Sequence, residues 1–374
     1  MAFSFLYSPQ AVAETEPITM TVTASMGNKM AHVRMLHELK RRLESGSGGR
    51  IQVNVQDKGQ AGSETEALKS QIRGRIAGGF TSATVLSYSL PAFRLLTLPL
   101  MFQDWNEVQA FTGSSLDKAL RETAGDKRLE VLGYASYGFY GLFGFDHYPT
   151  TSWEQLQGKR VRLSSDRWLV DIHNDMLLKP VYVPSDDIRS ALDDKWLSGI
   201  ITTPEILGRS SLLKRKGARF HYTRHLHGWS VFTVNQRWLN RLPDDLRDLI
   251  TRTVRLVCNH SISKSRTVEK NLLSAWQKGK GLPLSNLHAA PLVSLLRPRV
   301  MDAIKTIERR LRLWGKIRRQ WEQQANALLA QQVRQPKTLD HTTDGDSQYT
   351  QGGNNKSKSV IDSNVLQPLP SQRP

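Results

Sequence analysis

RIQVNVQDKGQAGSETEALKSQIRGRIAGGFTSATV, residues 50–85, carries three elements in succession. Ile51, Val53 and Val55 alternate with polar residues, the period-two pattern of a strand over residues 50–55. Residues 63–73 read as a helix, because Ser63 as N-cap and Glu66 three positions on make a capping box. Residues 80–85 read as another strand. Upstream, residues 20–26 form a short alternating strand. Residues 31–43 place Met35, Leu36, Leu39 and Leu43 at helical spacing before a Gly-Ser run at 45–49. The order β-α-β-α-β predicts a parallel sheet covered by helices, an α/β fold.

Further on, residues 129–144 are extended and aromatic-rich, and are expected to cross from one lobe to another. In GKRVRLSS, residues 158–165, alternation puts Arg160 and Arg162 on one strand face and Val161 and Leu163 on the other. An arginine held on a strand offers a planar fork that fits a carboxylate with two parallel hydrogen bonds. The same run also fits a basic edge strand facing water. Residues 186–192 read as a helix and 229–235 as a strand returning to the first sheet. Residues 243–257, 264–276 and 293–332 read as helices, the first with Leu246, Ile250, Val254 and Val257 on one side. The expected division is lobe 1 over 14–135 and 229–260, lobe 2 over 136–228, and C-terminal helices over 261–333 packed across the lobes. Residues 334–374, rich in Gln, Ser, Asn, Asp, Gly and Pro, read as a disordered tail.

A chain of 374 residues exceeds what one hydrophobic core usually serves, which also favours two lobes. With 39% hydrophobic and 23% charged residues it is globular, and no apolar run approaches the ~20 residues of a spanning helix. Its one cysteine, Cys258, excludes an internal disulfide. Residues 1–13, with apolar Phe3 to Tyr7 and Ala11-Val12-Ala13 before Glu14, read as the remnant of an export signal. The net charge of +18 concentrates at residues 307–321. There Ile307, Leu311, Trp314 and Ile317 fall three or four apart, the pattern of one basic amphipathic helix. Such a helix can lie on an anionic membrane or pack on a lobe with its arginines solvated, and packing is the expectation.

The sequence shows no G-x-S-x-G elbow, P-loop, G-x-G-x-x-G turn or H-E-x-x-H helix, so no enzymatic motif is present. His225 and His227 would share one side of a strand, but no cysteine or carboxylate lies beside them in sequence, and no metal is expected. Binding of a small solute without turnover, and without a cofactor, is the reading.

Several blocks in order resemble one family, the substrate-binding proteins of TRAP (tripartite ATP-independent periplasmic) transporters, over about residues 21–321. They are Gly48 to Val53 with Gly59 to Glu64, then Leu98-Pro99-Leu100-Met101-Phe102, the block from Trp153 to Arg162, and Val234 to Trp238 with Leu242 to Leu246. The resemblance implies a two-lobe, periplasmic-binding-protein-like fold with a hinge and long C-terminal helices. It also implies a periplasmic location, a small organic acid as ligand and the membrane subunits of a TRAP transporter as partner. In that family the counterpart of Arg162 anchors the ligand carboxylate. The family's second cleft arginine falls on Tyr140, and its aspartate and asparagine fall on Ser198 and Thr202. First-lobe contacts fall on Asn28, His32 and the run containing Thr81 and Thr84. Tyr137, Tyr140, Trp168, Trp196 and Trp229 are aromatic candidates for shielding a ligand body. With one arginine lost, a monocarboxylate is expected over a dicarboxylate. A monomer that binds no nucleic acid is expected, since no nucleic-acid module accompanies the charge. The substitutions at Tyr140, Ser198 and Thr202 motivate an alternative, a degenerate member acting as sensor or interaction module.

Removal of everything after Gln332 is expected to leave melting temperature and ligand affinity unchanged, because the tail has little apolar surface to pack. Thermal melts of the two lengths check this, and a fall of more than a few degrees would show that the tail docks.

Overall fold

The computed structural model describes residues 16–24, 31–57, 59–145, 152–163, 166–184, 186–285 and 287–334. The predicted export remnant and the tail beyond 334 lie outside the described residues. The chain opens with β1 (Ile18–Ala24), α1 (Ala31–Gly46), β2 (Ile51–Gln56), α2 (Glu64–Ile72) and β3 (Gly78–Ser82), the predicted β-α-β-α-β run. In β2, Ile51 and Val53 are buried while Gln52 and Asn54 are exposed, so the alternation decides which side meets the core. The capping box forms: the Ser63 amide and hydroxyl each donate to Glu66 Oε2 at 2.7 Å. The expected strand 80–85 stops early. Residues 83–85 belong to α3 (Ala83–Ser89), because the Ser82 side chain accepts from the Val85 amide and starts a helix there.

After a 3-10 turn at Pro91–Thr97 come α4 (Trp105–Phe111) and α5 (Ser115–Ala124), then β4 (Leu129–Phe139), which continues through Tyr140 into β5 (Gly141–Gly144). Next follow β6 (Arg160–Leu163), α6 (Arg167–Asp175), β7 (Lys179–Tyr182), α7 (Ile188–Asp193), β8 (Gly199–Thr202), α8 (Pro204–Gly208) and β9 (Arg219–His221). The chain returns in β10 (His227–Asn235) and α9 (Gln236–Asn240), and ends with α10 (Asp244–Gln277), β11 (Leu284–Ser285), α11 (Leu292–Leu311) and α12 (Lys316–Arg334). One sheet has the order β2-β1-β3-β10-β4 and the other β11-β9-β5-β8-β6-β7.

Three segments join the sheets. The first is Tyr140, between β4 and β5. The second is the return at residues 222–226, tied to the first by Tyr140 N to Leu226 O at 2.9 Å and Arg224 N to Tyr140 O at 3.0 Å. The third is α10. Its 34 residues extend about 50 Å. Leu246, Ile250, Val254 and Val257 pack with the first sheet's core, and Leu272, Leu273 and Trp276 with the second's. The two helices expected at 243–257 and 264–276 are therefore one, continuous through buried Cys258, Ser261 and Ile262.

Where these segments meet, α10 places Glu269, which is buried, on both crossings. Its carboxylate accepts from Trp105 Nε1 at 2.7 Å, the Phe139 amide at 2.8 Å and the Tyr222 hydroxyl at 2.6 Å. Burial raises the carboxyl pKa, and the three donors pull it back by favouring the charged form. Gly138 is required beside it. Its φ is +93°, and a Cβ there would lie 2.4 Å from Glu269 Oε2.

Residues 307–321 do not form the single amphipathic helix that their spacing predicts. The run breaks at Arg312, with φ 53°, and Gly315, with φ 71°. Ile307, Leu311 and Ile317 are buried, but Trp314 is 67% exposed on the connecting turn. The two helices pack on the body: Trp321 is fully buried and donates from Nε1 to Pro99 O at 2.7 Å. Arg299 of α11 grips Asp175 of α6, with Nη2 to Oδ1 at 3.0 Å. Among the described residues, no helix is long and apolar enough to cross a membrane.

Gly138→Ala should lower stability by about 3 kcal/mol, through the left-handed backbone and the collision with Glu269. Urea unfolding checks this; a loss under about 0.5 kcal/mol would show that the crossing can shift to make room.

Candidate functional site

Strands β6 and β8 run parallel, with Arg162 beside Ile200, and β5 runs antiparallel to β8, with Gly141 beside Thr202. The carboxyl ends of β6 and β8 and the start of β5 therefore share one sheet edge. Arg162, Thr202 and Tyr140 come together there. Open α/β sheets bind ligands at such an edge, where helix-bearing loops leave a crevice.

Arg162 is half-buried and is oriented by Nε donating to Val183 O at 3.1 Å. Among the described residues its terminal nitrogens meet no protein acceptor. Burial lowers its pKa, while Tyr182 and Tyr140 raise it; a guanidinium stays charged under either influence. The Tyr140 phenol is pushed up to about 12, by burial first and then by Asp166 and Glu64, with Arg162 opposing. It is a neutral donor at pH 7. Thr202 is buried at the end of β8.

Across the cleft, Thr81 is buried in β3 and its carbonyl accepts from Ser230 Oγ at 3.4 Å. Thr84 lies in the first turn of α3, half-buried. Asn28 lies outside the described residues. His32 lies in α1, with its side chain outside what is described. Trp168 ties α6 to the segment at 88–97: its indole donates to Thr97 O at 3.2 Å, its amide donates to the Tyr88 hydroxyl at 3.4 Å, and Arg94 stacks 4.7 Å from its ring.

Other aromatic candidates separate. Trp229 is core, packed on Phe102, Phe111 and His227 with centroids 5.4, 5.4 and 4.6 Å away. Tyr137 is buried and donates to Trp229 O at 3.0 Å. Trp196 is exposed and holds Arg160, which stacks 5.2 Å from its ring and donates to its carbonyl at 2.5 Å. Arg160 thus sits apart from Arg162.

Two carboxylates that act on Tyr140 were not singled out by the sequence reading. Glu64, at the start of α2, accepts from the amide and hydroxyl of Ser82, the latter at 3.0 Å. Burial raises its pKa, the Ser82 bonds lower it, and Asp166 raises it further. Asp166 caps α6 and accepts from the Leu169 amide at 2.9 Å. The signal for Asp166 was an N-cap residue three before Leu169. Glu64 gave none, because its partner is eighteen positions away.

Behind the cleft, His173 and His225 are fully buried. His173 Nδ1 must donate to Leu169 O at 2.7 Å, since a carbonyl only accepts. Its Nε2 then accepts from His225 Nε2–H at 3.1 Å. With both rings neutral, the Thr223 hydroxyl proton goes to His225 Nδ1 at 2.6 Å in preference to Tyr140 O at 3.2 Å. Burial pulls His173 down to about 4 and His225 well below its ordinary value. His227 bonds separately, to Ser136 Oγ at 2.9 Å. Contrary to the expected shared strand side, His225 precedes β10. Among the described residues no group of three or more His, Cys, Asp or Glu is placed to hold a metal ion.

The pattern of the bacterial extracellular solute-binding proteins, family 7, matches residues 24–304, and the chain belongs to that family. No curated protein matches the chain. Many solved structures of TRAP solute-binding proteins share the fold. A TRAP periplasmic solute-binding protein from Ochrobactrum anthropi aligns with a TM-score of 0.69 at 18% identity, over 84% of this chain and 97% of that one. A Bordetella pertussis extracytoplasmic solute receptor binding pyroglutamic acid aligns at 0.69 and 15%, over 82% and 99%. A Sulfitobacter TRAP solute-binding protein with bound β-D-galacturonate aligns at 0.67 and 15%, over 82% and 99%. The chain is an extracytoplasmic, periplasmic solute receptor of the TRAP type, a non-enzymatic component of transport.

His173 has a folded pKa below its unfolded value of 6.5, so the unfolded chain binds the extra proton. Its contribution to stability is complete above pH 6.5 and is lost as pH falls toward about 4, by roughly 3 kcal/mol. Glu64 and Glu269, raised by burial, act in the opposite sense on acidification. The difference in pH slope between wild type and His173→Gln isolates the histidine share. Ring NMR should show no titration of His173 between pH 8 and 5; a midpoint near 6.5 would contradict the buried neutral chain.

Proposed function

We propose that this receptor binds a small organic acid through its carboxylate on Arg162, closes its two lobes over it, and delivers it as a monomer to the membrane subunits of a TRAP transporter. The observation that carries this reading is the position of Arg162. It stands at the carboxyl edge of the second sheet, fixed through Nε, with its terminal nitrogens meeting no protein acceptor among the described residues. Tyr140 takes the place of a second cation, and its neutral phenol cannot balance a second carboxylate. Lobe 1 is assigned to residues 14–135 and 229–260, lobe 2 to 136–228, with the helices of 261–333 across them. Thr202, Thr81 and Thr84 are assigned hydroxyl contacts to the ligand, and Asn28 and His32 keep the ligand contacts that the family resemblance implies. Trp168 contributes by joining the lobes rather than by stacking on the ligand, since Arg94 occupies its ring.

Arg162→Ala should weaken carboxylate binding by about 2–5 kcal/mol, mostly through faster release, with the fold intact. Titration calorimetry decides it, and affinity unchanged within about twofold removes Arg162 from the site. Monocarboxylates should stabilise the wild type in thermal shift more than succinate or malate, and Tyr140→Arg should move the preference toward dicarboxylates. Strong stabilisation by dicarboxylates alone would show that another cation has the missing role.

A further inference from the structure

Around Tyr140 the charges are mixed rather than basic. Arg162 comes from β6 on the second sheet, Asp166 from the cap of α6 just beyond it, and Glu64 from the start of α2 on the first sheet. All three act electrostatically on the Tyr140 hydroxyl, and Asp166 also acts on Glu64, so the charges felt by this phenol are one cation and two carboxylates. The carboxylates differ in how far the protein satisfies them. Both Glu64 oxygens accept from Ser82. Asp166 Oδ1 accepts from Leu169 N at 2.9 Å, but Oδ2 is buried and, among the described residues, has no hydrogen-bond partner of good geometry. A buried carboxylate oxygen without a donor is costly, and a ligand that brings a donor or a positive charge removes that cost. The Tyr88 hydroxyl accepts from Trp168 N and interacts with the Asp166 carboxylate as a neutral donor; it supplies no charge, and its ring adds an aromatic wall.

We propose that the ligand is a zwitterion: its carboxylate binds Arg162, and a cationic nitrogen at its other end sits between Asp166 and Glu64, near Tyr140 and Tyr88. This rests on the carboxylate reading above and adds the second half of the ligand. It also gives a further reason for rejecting dicarboxylates, because the far end of the cleft would oppose a second anion with two carboxylates. Asp166 is then the residue that determines specificity, with Glu64, already bonded to Ser82, adding charge.

The test uses the full chain and two matched probe series, the ω-amino acids from glycine to 6-aminohexanoate and the straight-chain alkanoates of equal carbon number. Titration calorimetry is run on wild type, Arg162→Ala, and Asp166→Asn with Glu64→Gln. Asparagine keeps the helix cap and glutamine keeps an acceptor for Ser82, so the double variant removes charge with little change of shape. The expected result is that the best ω-amino acid binds at least about tenfold more tightly than its alkanoate, and that the double variant reduces this ratio to about one. If alkanoates bind as tightly as ω-amino acids and Arg162→Ala weakens both, the zwitterion inference falls and the carboxylate reading stands. If the preference survives in the double variant, Asp166 and Glu64 are not its cause and the inference is overturned. If Arg162→Ala changes neither series, or neither series binds, the carboxylate reading falls and takes this inference with it.

Discussion

One buried carboxylate ties together the parts of this molecule that must stay in register. Glu269 receives an indole N–H from α4, an amide N–H from the end of β4 and a phenol O–H from the return crossing. A charge taken out of water is tolerated only when its lone pairs are filled, and here three donors from three separate segments fill them. The second sheet is therefore positioned relative to the first by a group that cannot lose a donor cheaply. Gly138 follows from it, since any side chain would enter the space of the carboxylate. The placement of Tyr140 follows too, two residues beyond, with its backbone bonded to the return crossing.

From that junction the site inherits its shape. Tyr140 immediately precedes β5, Thr202 ends β8 and Arg162 lies in β6, so their proximity is a matter of strand register across three neighbouring strands. A separate link runs through Trp168, whose indole and amide bond α6 to Thr97 and Tyr88 while Arg94 covers the ring. Glu269, in contrast, sits where all three joining segments converge. Closure of the kind proposed needs both a fixed pivot and a separable rim.

Electrostatics divide the same way. The chain carries a net charge of +18, yet the described groups acting on Tyr140 are one guanidinium and two carboxylates. The overall charge can steer anions toward the surface, but what is held in the cleft depends on the local set. The buried histidine pair belongs to neither task. It is a neutral, directional chain that fastens α6 to the return segment.

Local pattern was sufficient for the elements that local forces build. Alternation in residues 50–55, the Ser63–Glu66 capping box and the spacing in 31–43 each depend on neighbours within four positions, and each formed as read. Block order across the chain was enough to indicate the family and the two-lobe fold. Local pattern failed where a nearby side chain or a distant surface decided. Ser82 turned 83–85 from strand to helix, two expected helices merged into α10 because both sheets needed one strut, and Arg312 to Gly315 broke a run whose periodicity looked continuous. At the site, Arg162 could be singled out only through the family resemblance, because the alternating strand alone fits a basic edge facing water equally well. Glu64, Asp166 and Glu269 could not. Each is an ordinary acidic residue on or beside a helix in the sequence, and becomes exceptional only when folding removes its water and assigns it particular partners, eighteen, three and as many as 164 positions away. Sequence alone determined the strands, the caps and the guanidinium chemistry of Arg162; tertiary structure decided which charges act on Tyr140 beside it, because desolvation and long-range pairing do not exist until the sheets are assembled.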